Sequence, residues 1–425
     1  MKILWFVNIE IPSDGNGELS GDAVGSGSWL VYLYNRLRRE PSVRLTVVFP
    51  QHREKALRKK QAGETLLYGF YSERKPLTVY DKANEAVFRD ILTQEKPDIV
   101  HLWGTEYSHC LALVNAFARP ERTVISVQGL ISICARHYQG DLPEKAARRW
   151  TFRDLVRLDN LKCQQKNFEK RGCFEKEALK KTGYVIGRTD WDEAACMMLA
   201  PEAVYFRCNE SLRDVFYEKK ACWSPESCRR HRLFAGQAGY PLKGLHKVIE
   251  AMGLLISDYP DMELRIAGDP MDFSDDMKSL LLRKSYTAYI KKLIEKQGLR
   301  EHIHFTGMLS PEGMAEELLA AHVFISASSM ENESNSLSEA KMLGLPVIAS
   351  AAGGTASRIQ HGIDGFQYQY EESYLLAYYI RRIFEDDGLA RSLGEKASEH
   401  AAAVNDREKN YCNLLSVYDE ILKGS

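Results

Sequence analysis

The chain has 425 residues, 44% of them hydrophobic and 27% charged, with a formal net charge of −1 and nine cysteines. That length exceeds one ordinary core and implies two or three domains. The near-neutral charge gives no electrostatic case for nucleic acid, and dispersed cysteines without a C-x-x-C pair read as reduced thiols of a cytoplasmic protein rather than a disulfide framework.

The first element, KILWFVNI at 2–9, reads as a buried strand and not as a signal peptide, because Lys2 is its single basic residue and the apolar run is short. A glycine-rich loop and a helix follow in VGSGSWLVYLYNRLRRE at 24–40. Further strands are expected at 45–50, 98–103, 123–129 and 184–189, each separated from the next by helical patterns. This alternation is the signature of βα units around a parallel sheet. No stretch approaches the ~20 apolar residues of a membrane-spanning helix, so membrane contact is expected to be peripheral, at the inner face.

Between 145 and 181 there are twelve Lys/Arg and five Asp/Glu, with Trp150, Phe152 and Phe168 interleaved. Two readings stay open here: solvated helix faces, or a basic surface facing anionic lipid. TDWD at 189–192 has the look of a D-x-D metal motif, but no further ligand set accompanies it. Asp190 and Asp192 are read as structural or acceptor-side residues.

The pattern lapses into YEKKACWSPESCRRHR at 217–232, so the join is expected around 210–230, and a second α/β series begins near 230. Its strands are RLFAGQ, ELRIAGD, IHFTGM, VFISAS and PVIAS. The fold class is therefore α/β, with two doubly wound Rossmann-like domains. The expected limits are 1–215 and 230–400, with a C-terminal helix over 405–425 crossing back to the first domain. In such sheets a ligand sits beyond the strand C-termini.

Chemistry concentrates in the second half. FAGQAGYPLKGLHKVIEAM at 234–252 runs from a strand through a glycine-containing loop to Lys243 and Gly244 at a helix start, and a lysine there suits phosphate. ELRIAGDP at 263–270 ends a strand in Gly268 and Asp269. ENESNSLSEAKMLGLPVIASAAGG at 331–354 places Glu331 on a loop and Glu339 about two turns later, on a helix that Gly344 stops. Ser336 and Glu339 have capping-box spacing, which puts 335–338 at a helix N-terminus whose free N–H groups form an anion site.

Together these elements resemble the retaining nucleotide-sugar glycosyltransferases of family 4, which have the GT-B fold, two Rossmann-like domains facing each other across a cleft. The E-x7-E motif is Glu331 to Glu339, its tail is EAKMLGLPVIAS with Gly353 and Gly354, and the K-G of the phosphate loop is Lys243 and Gly244. The resemblance covers nearly all of 230–400. The whole-chain pattern, including HLWGTEYSH, VQGLISICARHY, GRTDWDEA and YPLKGLH, resembles the bacterial branch that builds surface polysaccharides and glycolipids.

The resemblance implies an enzyme that moves a hexose from a nucleoside-diphosphate sugar, UDP- or GDP-linked, to a carbohydrate or lipid-linked hydroxyl with retention of configuration. It implies no cofactor and no metal requirement. By carry-over, Glu331 meets the sugar and Glu339 the ribose, and Lys243 and the N–H groups of Asn335, Ser336 and Leu337 meet the diphosphate. Gly25 and Gly27 let backbone approach donor and acceptor, and Gly268 joins the donor-binding set. Two positions depart from the pattern. Gln237 stands where an arginine usually partners the lysine, and Gln128 stands where many members carry histidine. Glutamine cannot act as a general base; His109 and His137 are the acceptor-side substitutes considered, each also readable as structural. Rival readings are a catalytically silent nucleotide-sugar-binding paralogue and an epimerase or phosphorylase on the same architecture.

Overall fold

The computed structural model describes residues 1–11, 18–19, 27, 29–73 and 78–424. The chain divides into two compact units, one of Met1–Ile133, Asn167–Arg213 and Asn405–Ser425, the other of Cys134–Lys166 and Asp214–Val404.

Unit 1 is built on an eight-stranded sheet in the order β3-β4-β2-β1-β5-β6-β7-β8. The strands are β1 (Lys2–Val7), β2 (Arg44–Gln51), β3 (Arg58–Ala62), β4 (Thr65–Tyr71), β5 (Ile99–Trp103), β6 (Thr123–Ser126), β7 (Tyr184–Gly187) and β8 (Val204–Arg207). Every pairing is parallel except β3 with β4, where Ala62 faces Thr65 across a Gly63-Glu64 turn. The central strand β1 is apolar on both faces because both are covered. Ile3, Trp5 and Val7 enter one core, and Leu4 and Phe6 enter the other. The Arg407–Lys423 helix closes the first of these cores with Tyr411, Leu414, Val417, Tyr418 and Ile421. A buried polar chain crosses that core. The Trp5 indole N–H donates to the Tyr418 hydroxyl at 2.8 Å, which meets His101 Nδ1 at 2.6 Å, and His101 Nε2 meets Ser126 Oγ at 2.7 Å. Burial holds the His101 imidazole neutral, its pKa pushed down to about 3.

Unit 2 carries a six-stranded, wholly parallel sheet in the order β11-β10-β9-β12-β13-β14. Its strands are β9 (Arg232–Ala235), β10 (Glu263–Ala267), β11 (Ile303–Gly307), β12 (Val323–Ser326), β13 (Val347–Ser350) and β14 (Phe366–Tyr368). The chain winds outward from β9 through β10 to β11, then returns to β12 on the other side of β9. The sheet order therefore reverses between β9 and β12, and a crevice opens beyond their C-termini.

One segment falls differently from the expected domain limits. The 134–166 stretch, read with the first domain, packs within unit 2. His137 carbonyl accepts from Ser329 Oγ at 2.9 Å, Gly140 carbonyl meets His246 Nε2 at 2.7 Å, and Tyr138 stacks on Tyr240 with centroids 6.1 Å apart. The join expected around 210–230 falls between Arg213 and Asp214, and the polar stretch after it packs within unit 2, with Trp223 buried and its indole donating to the Ala321 carbonyl at 2.7 Å.

Candidate functional site

The switch-point crevice of unit 2 is a cavity of about 190 Å³, walled by the loop after β9 (Gly236, Gln237, Ala238), Lys243, the residues after β12 (Ala327, Ser328, Glu331) and Glu333 to Ser336. Lys243, Gln237, Glu331, Asn335 and Ser336, singled out in the sequence, all line it.

Backbone geometry holds these groups together. Gly244 has φ +68°, and a Cβ there would lie 1.7 Å from the Ala327 carbonyl oxygen. No side chain fits, so the Lys243 loop packs directly on the chain leaving β12. Gly353 has φ +59°, and a Cβ there would lie 2.2 Å from the Glu331 carbonyl oxygen; that oxygen accepts the Gly354 N–H at 2.9 Å. The glycine pair thus grips the loop that carries Glu331.

Lys243 Nζ lies 2.5 Å from Glu331 Oε2, with side chains 23% and 18% exposed. Burial alone would lower the lysine pKa, but the Glu331 carboxylate outweighs it and holds the ammonium above its ordinary value. Ser328 Oγ also donates to Glu331 Oε2, at 3.3 Å. The two residues that the resemblance assigned to different parts of a donor are bonded to each other.

The Asn335–Leu343 helix starts at this crevice. Its cap is Ser334, not Ser336: Ser334 is extended (φ −93°, ψ 110°) and its hydroxyl accepts the Leu337 N–H at 3.3 Å. Ser336 instead faces Gly236, where a Cβ would lie 3.6 Å from Ser336 Oγ. The cap corrects one expectation, since the Leu337 N–H is occupied within the protein. The N–H groups of Asn335 and Ser336 are those left without an intrahelical partner. Glu339 is buried further along the helix and lies outside the cavity lining. Gly268 also lies outside the lining but stands beside Gln237, with a built Cβ 3.6 Å from Gln237 Cγ.

Glu333 was not singled out in the sequence. It lines the cavity and pairs with Arg358 Nε at 2.9 Å, its side chain only 3% exposed. Its position between Glu331 and the cap Ser334 was the available signal.

The remaining expected residues lie elsewhere. The Gln128 amide donates to Glu210 Oε1 at 2.5 Å, and Glu210 pairs with buried Arg188 at 2.7 Å, inside unit 1. His109 is packed among Phe6, Phe70 and Tyr107, with Nε2 2.9 Å from Asn8 Oδ1 and its pKa pushed down to about 3 by burial. His137 belongs to unit 2 and has an exposed side chain, and it is its carbonyl that bonds Ser329. Gly27 is buried, and Gly25 lies outside the described residues. In TDWD the two carboxylates part company: Asp192 is buried, closing a capping box with Thr189 and accepting the Tyr205 hydroxyl at 2.5 Å, whereas Asp190 pairs with Arg207.

Unit 1 has a reversal of its own, between β1 and β5. There Asn8 Nδ2 donates to Glu106 Oε2 at 2.7 Å, and Arg171 Nε donates to the Glu106 carbonyl at 2.7 Å. Burial raises the Glu106 carboxyl pKa.

Two α/β units with parallel doubly wound sheets are the GT-B architecture. The whole chain superposes on sucrose-phosphate synthase from Thermosynechococcus elongatus with a TM-score of 0.70 at 16% identity, covering 100% of both chains. It superposes on Anabaena Alr3699/HepE in complex with UDP and glucose with a TM-score of 0.65 at 17% identity, covering 99% of this chain and 100% of that one. Residues 231–400 match the family of glycosyl transferases group 1. Over 192 residues the chain is 29% identical to YtcC of Bacillus subtilis (strain 168), covering 45% of each chain. Over 163 residues it is 28% identical to the D-inositol 3-phosphate glycosyltransferase of Corynebacterium urealyticum, covering 38% of this chain and 36% of that one. The matched region is thus less than half the length of these curated relatives.

Proposed function

We propose that the protein transfers a hexose from a uridine or guanosine diphosphate sugar to a hydroxyl of a carbohydrate or lipid-linked acceptor, with retention of configuration. The observation that carries this reading is the convergence of Lys243, Glu331 and the N-terminus of the 335–343 helix on one switch-point cavity. The group 1 family match over 231–400 and the fold neighbour that holds UDP and glucose support it.

In this reading the bond between the sugar anomeric carbon and the diphosphate oxygen breaks, and the acceptor hydroxyl oxygen bonds the same carbon from the face the diphosphate leaves, passing its proton to the departing diphosphate oxygen. Negative charge grows on the departing diphosphate. Lys243 and the Asn335 and Ser336 N–H groups are preorganised donors for that charge. Glu331 exchanges part of its contact with Lys243 for the sugar hydroxyls. No divalent ion is required, because the lysine and the helix terminus supply the positive end. A chelator is expected to leave turnover unchanged; loss of turnover restored by magnesium or manganese would contradict that.

The transfer is tested by incubating the full chain with UDP- and GDP-sugars and following the released sugar by proton NMR. The expected product keeps the donor's anomeric configuration, and Glu331→Ala abolishes its release. An inverted product, or release unchanged in Glu331→Ala, overturns the reading. Among the described residues no helix is long and apolar enough to cross a membrane. We place the reaction on the cytoplasmic side, where nucleotide sugars and lipid-linked acceptors meet.

A further inference from the structure

Two short helices of unit 2, Phe152–Arg157 and Met277–Leu282, pack against each other. Asp154, a fully buried carboxylate, caps the first helix with Thr151 and accepts at 3.1 Å the N–H of Ser285, which opens the helix after the second. Their outer faces are unusual for a water-facing surface. Phe152, Leu155, Val156 and Leu158 protrude from the first, Leu158 with 73% of its surface exposed. Met277, Leu280, Leu281 and Leu282 protrude from the second, Met277 with 72% exposed. Trp150 stands exposed just before the first helix. Scattered single apolar residues are ordinary, but a contiguous set of this size marks an interaction surface.

The charges around it choose the partner. Lys145, Arg149, Arg157, Lys278 and Lys284 flank the apolar side chains and make no ion pair among the described residues. Of the nearby acids, Asp275 pairs with Lys291, while Asp272 and Asp276 keep their charge under hydrogen bonds from Ser274 and Ser279 and are outnumbered by the five cations. An anionic bilayer accepts both parts, with the apolar side chains at the acyl boundary and the cations among headgroup phosphates. Of the basic stretch at 145–181, Phe168 takes no share, since it lies under Arg171 at 5.1 Å.

We propose that the face formed by these two helices docks the protein on an anionic lipid surface. The inference deepens the lipid-linked acceptor reading above and names the surface that brings the chain to such an acceptor. The full chain is sedimented with vesicles of phosphatidylcholine alone or of phosphatidylcholine with roughly a third phosphatidylglycerol. Binding is expected only to the anionic vesicles, and is expected to fall in about 0.5 M NaCl. The double variant Leu155→Ser/Leu281→Ser and the double variant Arg157→Glu/Lys284→Glu should each bind at least about tenfold more weakly, with unchanged melting temperatures. Failure of the wild type to bind anionic vesicles overturns the proposal, as does wild-type binding by both variants. So does a wild-type dimer that the apolar variant turns into monomer without any vesicle binding. Nucleotide-sugar binding is followed in the same samples. Vesicle binding that persists where no nucleotide sugar binds supports this surface and counts against the transferase reading alone.

Discussion

Lys243 and Glu331 stand 2.5 Å apart, so neither acts independently of the other. On the proposed reading, a diphosphate arriving at the helix start competes with Glu331 for the ammonium. Removing the lysine leaves a half-buried carboxylate beside an incoming anion. Lys243→Ala is therefore expected to weaken nucleotide-sugar binding by about 1.5–3 kcal/mol, roughly ten- to hundredfold, in a calorimetric titration. Glu331→Gln keeps the volume and removes the competing charge. It is expected to bind donor at least as tightly as wild type while turnover falls at least about tenfold, a split of KM from kcat that a merely structural glutamate would not give. Gln237 leaves Lys243 as the sole cation lining the cavity among the described residues, which concentrates the electrostatic contribution on one side chain.

At the scale of the element, the site is held by close backbone contact more than by side chains. Gly353→Ala would force a Cβ to within 2.2 Å of the Glu331 carbonyl oxygen at a positive φ. It is expected to destabilise unit 2 by more than about 2 kcal/mol and to abolish nucleotide-sugar binding. Unchanged denaturant midpoint and binding would show that the grip on the Glu331 loop is not needed. The glycines and the lysine were legible beforehand because each sits at a strand end in a fixed order, and buried parallel strands print short continuous apolar runs. The edge strand β3, RKKQA, carries no such run, because an edge facing water favours charge, and it passed unread. The 134–166 segment was misplaced because its ties to unit 2, the His137 and Gly140 carbonyls, the Tyr138–Tyr240 stack and the Asp154 carboxylate, are isolated tertiary contacts that leave no periodic pattern in the sequence. The Ser334 cap was missed because three serines in five residues offer competing caps, and backbone conformation decides among them.

For the whole molecule, buried histidines set the response to acid. Burial pushes His101 and His109 down to about 3, and His246 and His322 to about 4, from an ordinary 6.5. Below pH 6.5 the unfolded chain takes up protons that the folded chain refuses. This contribution is full above pH 6.5 and is lost as pH falls toward 4 and then 3. Glu175 runs the other way. Burial raises its carboxyl from 4.5 to about 7, so acid favours the fold by one proton between pH 7 and 4.5. Burial raises the Glu106 carboxyl in the same sense, so four histidines less two carboxyls leave a net two protons, or roughly 3 kcal/mol per pH unit at most. The melting temperature is expected to fall steadily from pH 7 to pH 5, and a flat profile would refute the buried, neutral assignment. The central claim, that the unit 2 switch-point cavity holds the diphosphate of a nucleotide sugar through Lys243 and the 335–343 helix start, is tested most directly by ligand-induced thermal stabilisation. A panel of uridine, guanosine and adenosine diphosphate sugars is expected to raise the melting temperature of the wild type for one base class and to leave Lys243→Ala unmoved at the same concentration. A wild type that no nucleotide sugar stabilises, or a Lys243→Ala variant stabilised as fully as wild type, would contradict it.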